Sequence, residues 1–240
     1  MASLKSLIND KLGQWVFKEL AIEAVRDLSP HYRRFHVTAP WLRDASWSAG
    51  DKLQIMIAEA GPRTYTPFSR DSATGSFDLL AYVHGDTPGA AWIEKARPGL
   101  RFRAFGPRGS LPLGALEGPV VFAGDETSFA AATSLREARG ASDGLSFVFE
   151  CTHTDEAQHV LSQLGLERHA IVARQPAAAH LDALEAALHE ALAQQPQAQL
   201  VLTGHAQTIQ AIRQRLKLRP AQHAGQKVKA YWADGKRGLD

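Results

Sequence analysis

Hydrophobic and polar residues alternate at short range in the first half of the chain and fall into longer blocks in the second. Up to about residue 115, the runs FKELAIEAV, YRRFHVTA, KLQIMIA, SFDLLAYV and LRFRAFG are rich in β-branched and aromatic residues. Turn formers separate them: Ser29-Pro30, Gly50-Asp51, Thr74-Gly75 and Pro98-Gly99. This pattern predicts short strands of an antiparallel β-barrel. Further on, PVVFAG precedes ETSFAAATSLREAR, LSFVFEC precedes DEAQHVLSQLG, AIVAR precedes HLDALEAALHEALAQ, and AQLVLTG precedes AQTIQAIRQRLK. Apolar runs followed by segments of helical period predict βα units on a parallel, doubly wound sheet. The expectation is two domains, a barrel over 1–115 and an α/β domain over 116–240, joined in GSLPLGALEGP at 109–119.

Composition agrees with that division. At 240 residues, 45% hydrophobic and 22% charged, the chain has material for two cores of ordinary size. Its formal charge of +2 is small and the basic residues are dispersed, so no nucleic-acid partner is expected. The one cysteine, Cys151, rules out an intrachain disulfide and any cysteine-built metal or iron-sulfur site. Its expected role is a small buried hydrophobe. The histidines at 153, 159, 169, 180, 189 and 205 fall on different elements without ligand spacing, so no bound structural metal is expected. MASLKSLINDKLGQWVF contains no apolar core of signal-peptide length and no later segment approaches a membrane span. A cytoplasmic protein without membrane insertion is the expectation.

The stretch AGPRTYTPFSRD, from Ala60 to Asp71, carries the first chemistry. In an extended strand, Arg63 and Tyr65 share a face with Thr66 beside them, so a cation, a flat ring and a hydroxyl stand together. Further along, Pro88-Gly89-Ala90-Ala91 opens a short helix ending near Arg97. Proline suits a first helical turn and small residues leave backbone N–H groups accessible, so this terminus suits a pyrophosphate. In the second domain, VVFAGDETSFAAATSL puts Gly124 at a strand's carboxyl end and Thr127 near a helix N-cap. Open parallel sheets bind ligands at that place. The turn is not G-x-G-x-x-G, and Asp125 with Glu126 would repel a phosphate unless they cap the helix or turn away. A second such edge is LVLTGHAQTIQ, with Thr203, Gly204 and His205.

Motifs in family order resemble the siderophore-interacting proteins, FAD-dependent ferric-siderophore reductases of the ferredoxin reductase superfamily. They are Arg63-x-Tyr65-Thr66, the series within YVHGDTPGAAWIEKARPGLRFRAFGPRG from Tyr82 to Gly109, AGDETSFAA from Ala123 to Ala131, and the closing AYWADGKRGLD. The series itself combines histidine-glycine, glycine-small-small-tryptophan and glycine-proline-arginine-glycine. The resemblance implies a Greek-key, flavin-binding barrel followed by an NAD(P)H-binding-like domain. It places Arg63 on the flavin phosphate, Tyr65 against the isoalloxazine ring and Thr66 near flavin N5, and so assigns Tyr65 and Thr66 to the reaction centre. It puts the FAD diphosphate at Gly89, Ala90 and Ala91, with Val83, His84 and Gly85 on the preceding strand end and Trp92 underneath. It also sets Asp125, Thr127 and Trp232 beside the flavin.

For NADPH or NADH the implied positions are Gly124, Thr127, Gly204 and His205. His205 departs from the glutamate usual in the family. Arg174 or His153 is a candidate partner for a 2'-phosphate, Arg174 having the permanent charge for it. The basic residues from Arg213 to Lys236 form either an ordinary solvated surface or a face that attracts an anionic ferric chelate. The implied activity passes electrons from NADPH or NADH through FAD to a ferric siderophore, releasing Fe(II). Two alternatives stay open: a flavin reductase or electron-transfer partner of an oxygenase, and a non-enzymatic siderophore-binding protein. The acidic pair Asp125-Glu126 leaves a ferredoxin open as the donor.

Overall fold

The computed structural model of the chain describes residues 17–57, 61–85, 87–140 and 144–236. Residues 1–16 of the segment read for a signal peptide and the last four residues of the closing signature lie outside that set. Seven strands, β1 (Lys18–Ser29), β2 (Tyr32–Thr38), β3 (Lys52–Ile57), β4 (Gly61–Tyr65), β5 (Phe68–Asp71), β6 (Ser76–Tyr82) and β7 (Arg101–Arg108), form the first sheet, with helix α1 (Pro88–Lys95) before β7. Its order is β4-β3-β7-β1-β2-β6-β5 and its pairings are antiparallel. The two edge strands, β4 and β5, are consecutive in the chain, separated by Thr66 and Pro67 alone. Three Cα–Cα steps span at most about 11 Å, so the sheet curls until its ends meet. The barrel interior holds Leu20, Ile22, Phe35, Leu53, Ile55, Phe77 and Leu79, all nearly inaccessible.

The second sheet is parallel, built from β8 (Val120–Asp125), β9 (Leu145–Cys151), β10 (His169–Ala173), β11 (Gln199–His205) and β12 (Gly225–Trp232) in the order β10-β9-β8-β11-β12. Helices α2 (Phe129–Arg139), α3 (Thr154–Gln163), α4 (Leu181–Gln194) and α5 (Ala206–Leu218) provide the crossovers. Strand order reverses between β8 and β11, which puts the switch point at Gly124-Asp125 and Thr203-Gly204-His205. The barrel-then-α/β expectation therefore holds. The sequence pattern does not predict β12: GQKVKAYW carries two lysines and a glutamine, and it runs as an edge strand, where lysine is favoured because it blunts unwanted pairing. Cys151 is buried, and burial pushes its thiol pKa up. No helix among the described residues is long and apolar enough to cross a membrane.

One apolar cluster joins the two sheets. Leu28, Tyr32, Phe68 and Leu80 of the barrel pack with Leu111, Leu113 and Leu116 of the linking segment and with Phe122, Phe129 and Phe149 of the α/β domain. The Tyr32 and Phe129 rings stack at 5.5 Å and 6°, and Phe129 meets Phe149 edge-on at 4.8 Å. Two carboxylates clamp the rim of this seam. Glu137 of α2 accepts from the Ser69 backbone N–H and hydroxyl, each at 2.7 Å. Glu156 of α3 accepts from the Ser29 hydroxyl at 2.7 Å and the His31 backbone N–H at 3.3 Å.

Phe129 is fully buried at the centre of the seam. Truncating it leaves a cavity lined by both domains. Phe129→Ala is expected to lower the unfolding free energy by about 3–5 kcal/mol, read from urea midpoints. A loss below about 1 kcal/mol would show that the seam is not a continuous core.

Candidate functional site

The barrel's contribution begins on β4, where Arg63 and Tyr65 lie on the half-buried face and Pro62 and Thr64 on the exposed one. Arg63 reaches the first turn of α1. A Cβ added to Gly89 would lie 3.6 Å from Arg63 Nε and 3.7 Å from Thr87 Oγ1. Thr87 caps the helix, its hydroxyl accepting from the Ala90 N–H at 3.1 Å, and Pro88 occupies the first turn. A guanidinium therefore stands against a helix N-terminus built from Gly89, Ala90 and Ala91, two sources of positive potential at one place. Burial pushes the Tyr65 phenol up to about 12 while Arg63 pulls it down, so the ring is neutral and packs on the barrel core.

The remaining barrel residues are more dispersed. Val83 is half-buried and its N–H donates to the His31 carbonyl at 2.8 Å, while His84 and Gly85 are exposed beyond it. His84 stacks on Tyr82 at 5.8 Å. Trp92 meets Phe35 and Phe102 edge-on at 6.0 and 5.6 Å, so it anchors α1 to the barrel.

The last strand, β12, brings two aromatics to this side. Burial raises the Tyr231 phenol pKa, and the Thr66 side chain acts to lower it. The next residue, Trp232, donates its indole N–H to Asp125 Oδ2 at 2.7 Å. Its ring stacks on His205 at 4.1 Å and 19°, and the Arg174 guanidinium lies 5.8 Å from its centroid. Thr66 is thus linked to β12 and, one residue further, to the end of β8.

At that end the acidic pair turns inward. Asp125 is fully inaccessible and caps the short 3-10 turn Glu126–Ser128, accepting from the Thr127 backbone N–H at 2.9 Å and from the Thr127 hydroxyl. Glu126, also buried, accepts from the Thr152 N–H at 2.6 Å. Arg174, 23% exposed, reaches Glu126 Oε2 at 3.0 Å, Glu150 Oε1 at 3.7 Å and Asp125 Oδ2 at 3.9 Å. Glu150 is completed by His180: the Gln175 N–H donates to His180 Nδ1 at 3.2 Å, so Nε2 carries the proton and donates to Glu150 at 2.5 Å. Arg174, read from the sequence as a phosphate partner, is committed to three carboxylates.

The two glycines of this edge are needed for close packing within the protein. A Cβ at Gly124 would fall 2.4 Å from Ser128 Oγ and 2.6 Å from Thr203 Oγ1, and one at Gly204, where φ is +96°, would fall 2.5 Å from the Asp125 carboxylate. His205 has its Nδ1 3.1 Å from Thr208 Oγ1 and its Nε2 3.2 Å from the Asp234 carboxylate. Burial pushes the Asp125 carboxyl up to about 6, with Glu126 adding to the shift and Thr127, Trp232 and Arg174 opposing it. Sequence reasoning missed Tyr231 as a partner of Thr66 and Glu150 with His180 as the support of Arg174. Only the adjacency of Tyr231 to Trp232 in the closing signature hinted at the first.

Comparisons with known proteins bear on the same two regions. The family described as "Siderophore-interacting protein" matches residues 118–235, and the "Siderophore-interacting FAD-binding domain" matches residues 58–111. No curated protein matches the chain by sequence. The siderophore-interacting protein SipS from Aeromonas hydrophila is similar in structure, with a TM-score of 0.73, 19% identity and 92% of each chain covered. A ferredoxin NADP+ reductase from Neisseria gonorrhoeae, solved with bound FAD and NADP, is similar with a TM-score of 0.67 and 17% identity, over 90% of this chain and 99% of that one. Full-length CYP116B46 from Tepidiphilus thermophilus matches at 18% identity and a TM-score of 0.68, over 90% of this chain and 29% of that longer one.

Arg174→Ala leaves Asp125, Glu126 and Glu150 buried without their cation. The expected loss is about 3–5 kcal/mol of folding stability, measured by chemical denaturation, with Arg174→Lys recovering part of it. Asp125 sets a pH dependence. Its folded-state carboxyl holds a proton to a higher pH than the unfolded one, so stability falls as pH rises from about 4 to about 6. Asp125→Asn should lose that fall while paying a pH-independent cost, since one amide oxygen cannot serve both Thr127 and Trp232. A wild-type-minus-variant stability difference that stays flat across the window would count against the assignment.

Proposed function

The chain belongs to the siderophore-interacting protein family of the ferredoxin reductase superfamily, and on that premise we propose that it is an FAD-dependent ferric-siderophore reductase drawing electrons from NADPH or NADH. Its barrel carries the family's FAD-binding domain, so flavin-dependent electron transfer is its general chemistry. The observation supporting the finer reading is the convergence of Arg63 on the α1 N-terminus, with Tyr65 on the same face and Thr66 next to it. These residues fit FAD. The small-residue terminus with the guanidinium suits a diphosphate, and the half-buried neutral phenol suits a flat ring.

In this reading Arg63, Gly89, Ala90 and Ala91 hold the diphosphate, with Val83, His84 and Gly85 bordering it. Tyr65 covers the ring and Thr66 offers its hydroxyl at the reacting edge. A bound flavin takes a hydride and releases electrons singly, which couples a two-electron donor to one-electron Fe(III). The side chains position and shield, and none acts as acid, base or nucleophile. Tyr231 neighbours Thr66, and Trp232, fixed by Asp125, flanks the site. The nicotinamide end lies at Gly124, Thr127, Gly204 and His205, while Arg174 supports this edge from within. Asp125 and Glu126 are buried, so they offer no acidic face to a ferredoxin. The chelate meets the basic surface of α5 and β12, where Lys227 and Lys229 stand on the edge strand; Arg215 is paired to Asp182 and Glu185.

The test is the visible spectrum of the purified protein under anaerobic conditions. Adding NADPH or NADH should bleach the flavin bands, and a ferric siderophore should restore them with Fe(II) appearing in a chelator trap. No bleaching, or recovery no faster than without the siderophore, overturns the reading. Arg63→Ala should weaken FAD retention by about 10- to 100-fold, the value of a charge-assisted hydrogen bond. Thr66→Ala should keep its flavin and slow hydride transfer by roughly tenfold. Equal occupancy and equal rates in the two variants would remove both assignments.

A further inference from the structure

A second cluster of chemistry lies on the rim of the seam, next to the strand end at Tyr82 and Val83. His31 sits in the turn between β1 and β2, His153 immediately precedes α3, and Glu156 lies in that helix's first turn. The spacing His153-x-x-Glu156 puts the last two on one face of the helix start, and barrel packing brings His31 against them. His31 Nδ1 is 3.0 and 3.2 Å from the two Glu156 oxygens. The two imidazole rings stack at 4.2 Å and 9°. One donor atom from each residue falls within a common 4.8 Å.

We propose that His31, His153 and Glu156 form a binding site for a divalent first-row transition-metal ion that bridges the barrel and the α/β domain. Imidazole with carboxylate is the donor set favoured by such ions, and metal–ligand bonds of about 2.0–2.1 Å put neighbouring donors about 3 Å apart. The His31–Glu156 pair already has that separation, and the half-exposed and exposed histidine side chains have room to close the rest by rotation. The His153 ring has no hydrogen-bond partner among the described residues, so its nitrogens have no competing role. The Ser29 hydroxyl and the His31 backbone N–H hold the Glu156 carboxylate in place. Three protein donors facing solvent leave the other coordination positions to water. The histidines come from separate elements, which is why their spacing in the chain gives no sign of the site.

The test uses the untagged, FAD-loaded full chain stripped with a chelator, titrated with Zn(II) by calorimetry and with Co(II) by visible absorption. The expected result is one ion per chain with micromolar affinity, and a rise in thermal midpoint of about 5 °C at a hundredfold excess over Kd. His153→Ala, which removes an exposed ring, should weaken binding at least tenfold and leave the flavin spectrum unchanged. His31→Ala should do the same. Glu156→Gln should weaken binding too, but it also loosens the seam, so the two histidine variants decide. Binding equal in wild type and His153→Ala assigns the metal to other histidines and overturns the proposal, as does a wild type that takes up no ion.

Discussion

Buried negative charge is the constraint around which the second domain and its junction are arranged. Asp125 and Glu150 are directly paired in the β8–β9 ladder, and Glu126 follows Asp125 in sequence, so three carboxylates gather at two neighbouring strand ends out of water. Like charges side by side on a sheet repel, and each ion loses its hydration. One guanidinium balances them. Arg174 is aimed correctly because its backbone N–H donates to the Cys151 carbonyl at 2.8 Å, extending the register of β10 along β9 by one residue. His180 takes the outer oxygen of Glu150 and the Trp232 indole takes an oxygen of Asp125. The network consequently ties β8, β9, β10, the start of α4 and β12 into a single rigid edge.

That edge positions chemistry on the barrel side. Because Trp232 is fixed by Asp125, the preceding residue on β12 is fixed as well, and Tyr231 meets Thr66. The glycines at 124 and 204 serve this arrangement first: each lies where a side chain would strike Ser128, Thr203 or Asp125. The backbone at the switch point is therefore held in place by the protein's own contacts. The seam clusters around Tyr32 and Phe129 then keep the two halves of the site from drifting apart.

The strand-and-turn pattern before residue 115 and the βα alternation after it were legible because each rests on local periodicity. Arg63, Tyr65 and the Gly89 turn were legible for a related reason, since a strand face and a helix start are local geometry. What was not legible depends on register between distant strands. Nothing in AIVAR shows that Arg174 will lie beside Glu126 and Glu150, and GQKVKAYW reads as polar because only one face of an edge strand is covered. The alternative that Asp125 and Glu126 cap or turn away was open in the sequence, and the structure realises both parts of it. His31 and His153 illustrate the same limit, being 122 positions apart and yet stacked.

Barrel closure explains why the flavin motif sits at this point of the chain. The hydrogen-bond ladder ends with Tyr65 on β4 and resumes with Phe68 on β5. Pro67 has no N–H to offer a ladder and is buried in the turn, so the strand pairing is interrupted between them. A residue in such an interruption has no strand partner, and the Thr66 side chain instead acts on Tyr231 of the other domain. The same interruption leaves the face of Tyr65 and the reach of Arg63 beside the α1 terminus. Filling it with a continuous strand would close the barrel fully. The open corner of the barrel and the charged end of the parallel sheet thus face each other, with the last strand of the described chain between them.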